Sequence, residues 1–231
     1  MRKTFIIVPW VLILSLVSGQ SGPVVKRIEW LGNEVTRDYI IQREIQHPVN
    51  TILDTVLARE DRDRLDNLGI FSEVRWQTVP LEDGQVILQY LVVESWRYLP
   101  GALPVYEEET GWSLSGGLII NNYRGRNETL MIGGSFGGKN TFGINYTNPW
   151  LSGDHLSLDL EAGKNIYNHL FLPYKEATSF LGAKLGRYAG YTHKFKLILE
   201  VYRSIYTSRQ MADHTWSWLE MGGPYVYDTP A

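Results

Sequence analysis

Cysteine is absent from the 231-residue chain, which excludes disulfide bridges and thiolate metal sites. A surplus of positive charge is also lacking, because 22 Lys and Arg stand against 25 Asp and Glu. The chain therefore has no global basic field of the kind that nucleic-acid-binding proteins use. The 5 histidines show no close ligand spacing, so neither a metal nor a cofactor is expected. What the chain does have is 14 Tyr and 8 Trp, which favour strands, interfaces or a membrane girdle.

A phosphate-binding loop is lacking too, although residues 133–140 (GGSFGGKN) have the spacing G-x-x-x-x-G-K. Asn140 stands where a Ser or Thr hydroxyl would hold magnesium. The residues that follow, TFGINYTNPW, are β-branched, aromatic or turn-forming, so no helix N-terminus can face a phosphate there. We therefore predict a tight turn between two strands, with Lys139 as a turn residue, and no bound nucleotide.

Long apolar runs are scarce, and the clearest lies at the N-terminus. Residues 5–17 (FIIVPWVLILSLV) follow the basic head MRKT and precede the small residues Ser18 and Gly19. The run is shorter than the roughly 20 residues that a membrane-spanning helix needs. We predict a secretory signal peptide at residues 1–19, with a retained membrane anchor as the alternative.

Residues 24–96 have the pattern of a small α+β domain. A strand is predicted at VVKRIEWLGN, a first helix at TRDYIIQREIQ, and a second helix after the capping-box-like pair Thr51 and Asp54. Two further strands, FSEVRWQTV and QVILQYLVVE, are joined by an Asp-Gly turn. The predicted order is therefore β-α-α-β-β.

This order resembles the POTRA domain of outer-membrane assembly proteins. The resemblance rests on Gly32 and Asn33 after the first strand and on Arg43 and Glu44 late in the first helix. It also rests on a series that runs from the second helix into the next strand: Leu65, Leu68, Gly69, Phe71 and Val74. Another small α+β domain is the alternative. The resemblance implies that an extended client adds a strand to the open sheet edge, at Ser72, Val74, Arg75, Trp76 and Thr78.

Residues 97–111 (RYLPGALPVYEEETG) are predicted to be a linker, because they combine prolines, glycines and consecutive glutamates. After them, polar and apolar residues alternate with a period of two in about six segments of residues 112–231. A soluble sandwich alternates in the same way. Segment lengths near 9–11 residues, polar faces rich in Gly, Ser and Asn, and aromatic residues at segment ends favour antiparallel strands of an outer-membrane β-barrel.

This second half resembles the bacterial surface antigen barrel of the BamA-like superfamily. Its strand-end motifs are matched by two groups of residues: Asn122, Tyr123, Gly125, Arg126 and Asn127, then Asn148, Pro149 and Trp150. That family's barrel has more strands than this chain supplies, so the resemblance implies an incomplete barrel. We expect a partial, C-terminally truncated copy of a longer protein, with a genuine short form that closes by oligomerising as the alternative.

The resemblance implies an assembly factor that inserts and folds β-barrel proteins in the bacterial outer membrane, with the POTRA domain in the periplasm. Its partners would be unfolded outer-membrane protein clients, outer-membrane lipid, and periplasmic chaperones or accessory lipoproteins. The first barrel strand would offer an unpaired edge to the client, at Trp112, Leu114, Leu118 and Ile120. The alternative is a polypeptide-transporting pore of the two-partner secretion type. An enzyme is not expected, since no H-E-x-x-H motif is present and the consecutive glutamates lie in the predicted linker.

Overall fold

The computed structural model describes residues 22–152, 156–168, 173–189, 193–208, 215–221 and 225–228. The predicted signal peptide lies outside these residues. The N-terminal domain consists of six main elements: β1 (Val24–Leu31), α1 (Asp38–Gln42), β2 (Thr51–Ile52), α2 (Thr55–Asp66), β3 (Phe71–Pro80) and β4 (Gln85–Glu94). Its sheet has the order β2-β1-β4-β3, with β1 and β4 parallel and the other pairs antiparallel. The predicted β-α-α-β-β order is present, with the two-residue strand β2 added.

Local sequence explains where the second helix begins and ends. The Asp54 carboxylate accepts hydrogen bonds from the N–H groups of Val56 and Leu57, at 2.9 and 3.1 Å, and so caps α2. Gly69 has a φ of +68°, the left-handed conformation that ends helices. The first helix is shorter than the predicted TRDYIIQREIQ, since it spans only Asp38–Gln42. The Thr36 hydroxyl, just before this helix, donates to the Glu94 carboxylate at 2.6 Å.

The core of this domain surrounds one buried carboxylate. Asp61 is fully buried among apolar side chains from both helices and the sheet, including Val25, Ile40, Leu65 and Leu88. The Asp61 carboxylate is satisfied by four donors: the N–H groups of Gln46 (2.8 Å) and His47 (3.1 Å), the Tyr90 hydroxyl (2.9 Å), and the Arg64 guanidinium. This network ties the segment after the first helix to the second helix and to the central strand β4.

The second half of the chain is one antiparallel sheet. Its nine strands are β5 (Tyr98–Glu107), β6 (Gly111–Tyr123), β7 (Glu128–Gly137), β8 (Lys139–Ser152), β9 (Leu156–Asn168), β10 (Tyr174–Ala189), β11 (His193–Ser208), β12 (Thr215–Met221) and β13 (Tyr225–Asp228). Each strand from β5 to β12 pairs with the next, and β13 also pairs with β11. In the part of the chain that the structure describes, β5 and β12 do not pair with each other. None of the described helices is long and apolar enough to cross a membrane.

Three expectations for this half were wrong. The predicted linker contains strand β5, which pairs with β6 along its whole length, and the described residues after it form eight strands where about six were expected. Lys139 opens β8 and is not a turn residue. The linker prediction failed because proline usually argues against a strand, whereas at a sheet edge its missing N–H can face away from the partner.

The two faces of this sheet differ in polarity. Large apolar side chains stand exposed on one face, among them Leu114, Phe136, Phe142, Leu181 and Leu199. The other face carries polar side chains that contact one another across strands. Lys184 Nζ lies 2.8 Å from Glu161 Oε1 and 3.4 Å from Glu200 Oε1. This separation matches the predicted alternation of residues.

Candidate functional site

Strand β3 forms an open edge of the N-terminal sheet. Among the described residues it pairs with β4 alone, with Val74 opposite Val92 and Thr78 opposite Leu88. All the residues predicted for client docking lie on this strand: Ser72, Val74, Arg75, Trp76 and Thr78. The structure thus places them together on a sheet edge, and client binding there stays a prediction.

One hydrogen bond fixes which backbone groups of β3 face the open side. The N–H of Leu81 donates to the carbonyl oxygen of Gln85 at 2.8 Å, just beyond the end of the β3–β4 pair. Odd-numbered residues in this part of β3 therefore direct their backbone groups toward β4, since direction alternates along a strand. The backbone N–H and C=O groups of Val74, Trp76 and Thr78 consequently face the open edge. They are the groups that an added strand requires.

The side chains hold this edge in place without covering it. Val74 is buried in the core and Trp76 packs against it. On the opposite face, Arg75 Nε donates to Glu73 Oε1 at 2.6 Å, and the Ser72 hydroxyl donates to the carbonyl oxygen of Val93 at 3.2 Å. The strand is therefore anchored through its side chains while its outer backbone groups remain available.

Strand β5 forms the corresponding open edge of the second sheet. It pairs with β6 from Tyr98 opposite Ile120 to Glu107 opposite Gly111, and with no other strand in the described ranges. The prediction that the first-strand edge lies at Trp112, Leu114, Leu118 and Ile120 was wrong. These residues belong to β6, which has β5 on one side and β7 on the other, so both of its edges are occupied. Their apolar side chains do share one face of the sheet, where the Trp112 and Tyr106 ring centroids are 5.3 Å apart.

A buried hydrogen-bond network joins the two halves of the chain, and sequence reasoning missed it. The Glu94 carboxylate accepts from the N–H of Thr36 at 2.6 Å and from the Thr36 hydroxyl at the same distance. Asn122, near the end of β6, donates its side-chain amide to the Thr36 hydroxyl at 2.8 Å. Thr36 and Asn122 are only 3% and 4% exposed. Polar groups buried to this extent and fully paired fix the relative position of the surfaces that carry them.

The turn after β6 fits closely against the N-terminal domain. The N–H of Arg37 donates to the carbonyl oxygen of Gly125 at 2.9 Å. Gly125 has a φ of +73°, and a Cβ at this position would lie 2.1 Å from the carbonyl oxygen of Val35. Nearby, the Arg43 guanidinium stacks over the Trp150 ring at 4.1 Å. The Asn-Tyr-x-Gly-x-Asn turn and the Asn-Pro-Trp strand end therefore hold the second sheet against the N-terminal domain. Both motifs were identified in the sequence as strand ends, but not as contacts with that domain.

A groove of about 710 Å³ lies against β5 to β9 and extends toward β10. Glycines that are opposite one another in successive strands line it: Gly101, Gly117, Gly133 and Gly143. Apolar side chains flank this row, among them Leu99, Leu103, Ile119, Met131 and Phe180. The middle of the groove is therefore lined by backbone without side chains, and the groove begins at the open edge of β5.

The glycine-rich segment lies on strands and does not have the strand-to-helix geometry of the two motifs whose spacing it shares. Residues 133–137 also have the G-x-S-x-G spacing of a nucleophile elbow, which needs a strand-to-helix turn. Here Ser135 lies within β7, with its Oγ 2.9 Å from both the carbonyl oxygen of Lys139 and the Thr141 hydroxyl. Over the described ranges, no group of three or more acidic or histidine side chains is placed to hold a metal ion.

Comparison with known sequences finds a family that the N-terminal domain resembles. Residues 23–95 match the family POTRA, described as the surface antigen variable number repeat. The chain is also 27% identical over 161 residues to outer membrane protein assembly factor BamA of Neisseria meningitidis serogroup B (strain MC58). That alignment covers 67% of this chain and 19% of the relative, so the chain corresponds to a small part of it.

Comparison with solved structures supports the arrangement of both halves. BamA from Haemophilus ducreyi lacking POTRA domains 1–3 is similar with a TM-score of 0.72 at 19% identity, over 86% of this chain and 42% of that one. CdiB from Acinetobacter baumannii has a TM-score of 0.48 at 15% identity, over 85% of this chain and 38% of that one. At 19% identity the likeness to the Haemophilus ducreyi protein concerns the fold alone, a small α+β domain followed by a large antiparallel sheet.

Proposed function

We propose that this BamA-like chain, whose POTRA domain spans residues 23–95, takes part in inserting and folding β-barrel proteins in the bacterial outer membrane. The similarities above support an outer-membrane assembly or transport family. The observation that carries the choice of assembly is the pair of open strand edges, β3 and β5, on two domains joined by a buried junction. Exposed edges with unpaired backbone groups are templates for strand addition.

The proposed mechanism needs no covalent chemistry. An unfolded client would first add a strand to β3, where the backbone groups of Val74, Trp76 and Thr78 face outward. It would then pair with the edge of β5, whose sheet exposes apolar side chains on one face. In lipid, unpaired backbone groups cost several kcal/mol each, so strand pairing and apolar burial together would drive insertion.

The proposed location follows from the difference in polarity between the second sheet and the N-terminal domain. The exposed apolar face of the second sheet suits outer-membrane lipid, and the POTRA domain, with its charged helix α2, suits the aqueous periplasm. The proposed partners are unfolded outer-membrane protein clients, lipid, and periplasmic chaperones or accessory lipoproteins. No nucleotide or other cofactor enters the proposal.

Strand addition at β3 is tested by a matched pair of substitutions at Thr78. Proline at this position removes an outward N–H, whereas valine keeps that N–H and has a similar shape. Because the chain has no native cysteine, Gln77→Cys introduces a single thiol that reports capture of a cysteine-bearing client peptide as a disulfide. Both Thr78 substitutions are made in the protein that carries Gln77→Cys. We expect Thr78→Val to capture the peptide as well as this parent protein does, and Thr78→Pro to capture several-fold less. Equal capture by both variants would show that the client does not pair along this edge.

A polypeptide-transporting pore of the two-partner secretion type is a second candidate. It is favoured by the polar face of the second sheet, where Glu161, Lys184 and Glu200 lie together as they would along an aqueous passage. The two functions differ in substrate range. Depletion of an assembly factor lowers the yield of many outer-membrane proteins, whereas depletion of a dedicated pore abolishes export of one.

A further inference from the structure

The open edge of β5 is short of hydrogen-bond donors. The N–H of Asn121 donates to the carbonyl oxygen of Arg97 at 2.8 Å, immediately before the first residue of β5. Arg97 therefore directs its carbonyl toward β6, and in continuous register the odd-numbered residues of β5 do the same. The even-numbered residues face the open edge, and two of them are prolines: Tyr98, Pro100, Ala102, Pro104 and Tyr106.

We propose that Pro100 and Pro104 make this edge a reversible docking surface for one client strand, and that they prevent it from pairing with β5 of a second copy. Proline has no backbone N–H. An incoming strand can donate to the carbonyl oxygens of all five outward residues but receives hydrogen bonds from only Tyr98, Ala102 and Tyr106. This inference rests on the proposed function and adds the way in which a paired strand is released.

The other open edge of the chain supplies the contrast. Along β3 the outward residues Val74, Trp76 and Thr78 all retain their N–H groups, and proline occurs only at the strand end, at Pro80. The two open edges of this chain thus differ in the number of backbone N–H groups that they offer to an added strand. The proline positions on β5 fall on the outward residues and not on those that bond to β6, so the β5–β6 pair loses none of its own hydrogen bonds.

Side chains around β5 indicate the kind of strand that fits. Tyr98 and Tyr106, at the two ends of the edge, are 56% and 57% exposed on the apolar face. On the other face Leu103 is 58% exposed and lines the glycine-floored groove. A strand docked here covers apolar surface on both faces. The partner is therefore an extended segment with apolar side chains on its lipid-facing side and at least one on the side that borders the groove.

Pairing between two copies of β5 is disfavoured by the same geometry. In such a pair each strand would present two outward residues without an N–H, so the deficit of donors would be doubled. A client strand without proline avoids that doubled deficit. Proline on an exposed edge is a recognised means of blocking edge-to-edge aggregation.

The test compares the whole chain, in detergent micelles, with Pro100→Ala, Pro104→Ala and the double variant. The probe is a fluorescent 10-residue peptide, the length of β5, with alternating Leu and Thr and no proline. Its release rate is followed by fluorescence anisotropy. Ala102→Cys is introduced into the parent and into each proline variant, because this change keeps the outward N–H. A second peptide that carries one cysteine then locates the docking site by forming a disulfide with Cys at this position.

We expect release to slow roughly five-fold for each restored donor, and Ala102→Pro to speed release by a similar factor. We also expect the double variant to form more disulfide-linked dimers through the introduced cysteine than the parent. Peptide capture by that cysteine with unchanged release rates in the double variant would overturn the role of the prolines while leaving the proposed function intact. Absence of capture by the Ala102→Cys thiol in every variant would overturn docking at β5 altogether, and with it this part of the proposed function.

Discussion

At the scale of single residues, Tyr90 links the stability of the POTRA domain to pH. Its ring is fully buried in the core, and its hydroxyl donates to Asp61 at 2.9 Å. Burial raises the pKa of Tyr90, and the hydrogen bond to Asp61 with the charge of that carboxylate raises it further. The folded domain therefore keeps the phenol proton at a pH where the unfolded chain has lost it.

The direction of the pH dependence follows from this difference. Below about pH 10, the ordinary pKa of tyrosine, both states hold the proton and the contribution to stability is complete. Above it the unfolded state binds fewer protons, so the free energy of unfolding falls by up to about 1.4 kcal/mol per pH unit. We expect urea unfolding of residues 22–96 between pH 9.5 and 11.5 to show this decline, and Tyr90→Phe to show a shallower one. Parallel curves for the two proteins would contradict the assignment to Tyr90.

At the scale of elements, the turn between β6 and β7 positions one domain against the other. Gly125→Ala places a Cβ 2.1 Å from the carbonyl oxygen of Val35 and at an unfavourable positive φ, so the junction must open. Gly111→Ala is the matched control, because Gly111 also has a positive φ, +83°, but its Cβ would have no atom within 4 Å. Distances between spin labels on the two domains should broaden in Gly125→Ala and stay narrow in Gly111→Ala. Equal distributions would show that this turn does not fix the junction.

The sequence predicted those elements whose pattern is local. Alternation along β9 depends on neighbouring residues and was correctly predicted. The start of α2 was predicted only approximately, because Asp54 is the N-cap itself and Thr51, the other member of the predicted pair, lies in β2. Strand β5 was missed because its strand character depends on lying at a sheet edge, where Pro100 and Pro104 face away from β6. The junction was missed because Thr36 and Asn122 are 86 residues apart, and no local pattern connects them.

At the scale of the whole molecule, the two faces of the second sheet are assigned to lipid and water. Leu158 lies on the apolar face and Asp159 on the opposite, polar face. We expect Leu158→Arg to lower the yield of membrane-inserted protein more than Asp159→Arg, because an Arg at the bilayer midplane costs roughly 2–4 kcal/mol. The yield is measured in washed outer membranes of cells that express each variant. Equal yields would mean that the facing is assigned incorrectly.

Client strands are proposed to pair with two specific edges, β3 and β5, and amide hydrogen exchange resolves both at once. On addition of an unfolded outer-membrane protein, the outward N–H groups should become protected: Val74, Trp76 and Thr78 on β3, and Tyr98, Ala102 and Tyr106 on β5. The inward N–H groups of the same strands, already bonded to β4 and β6, should change little. Binding of the client with no gain in protection at either edge would contradict the proposal that this chain works by strand addition.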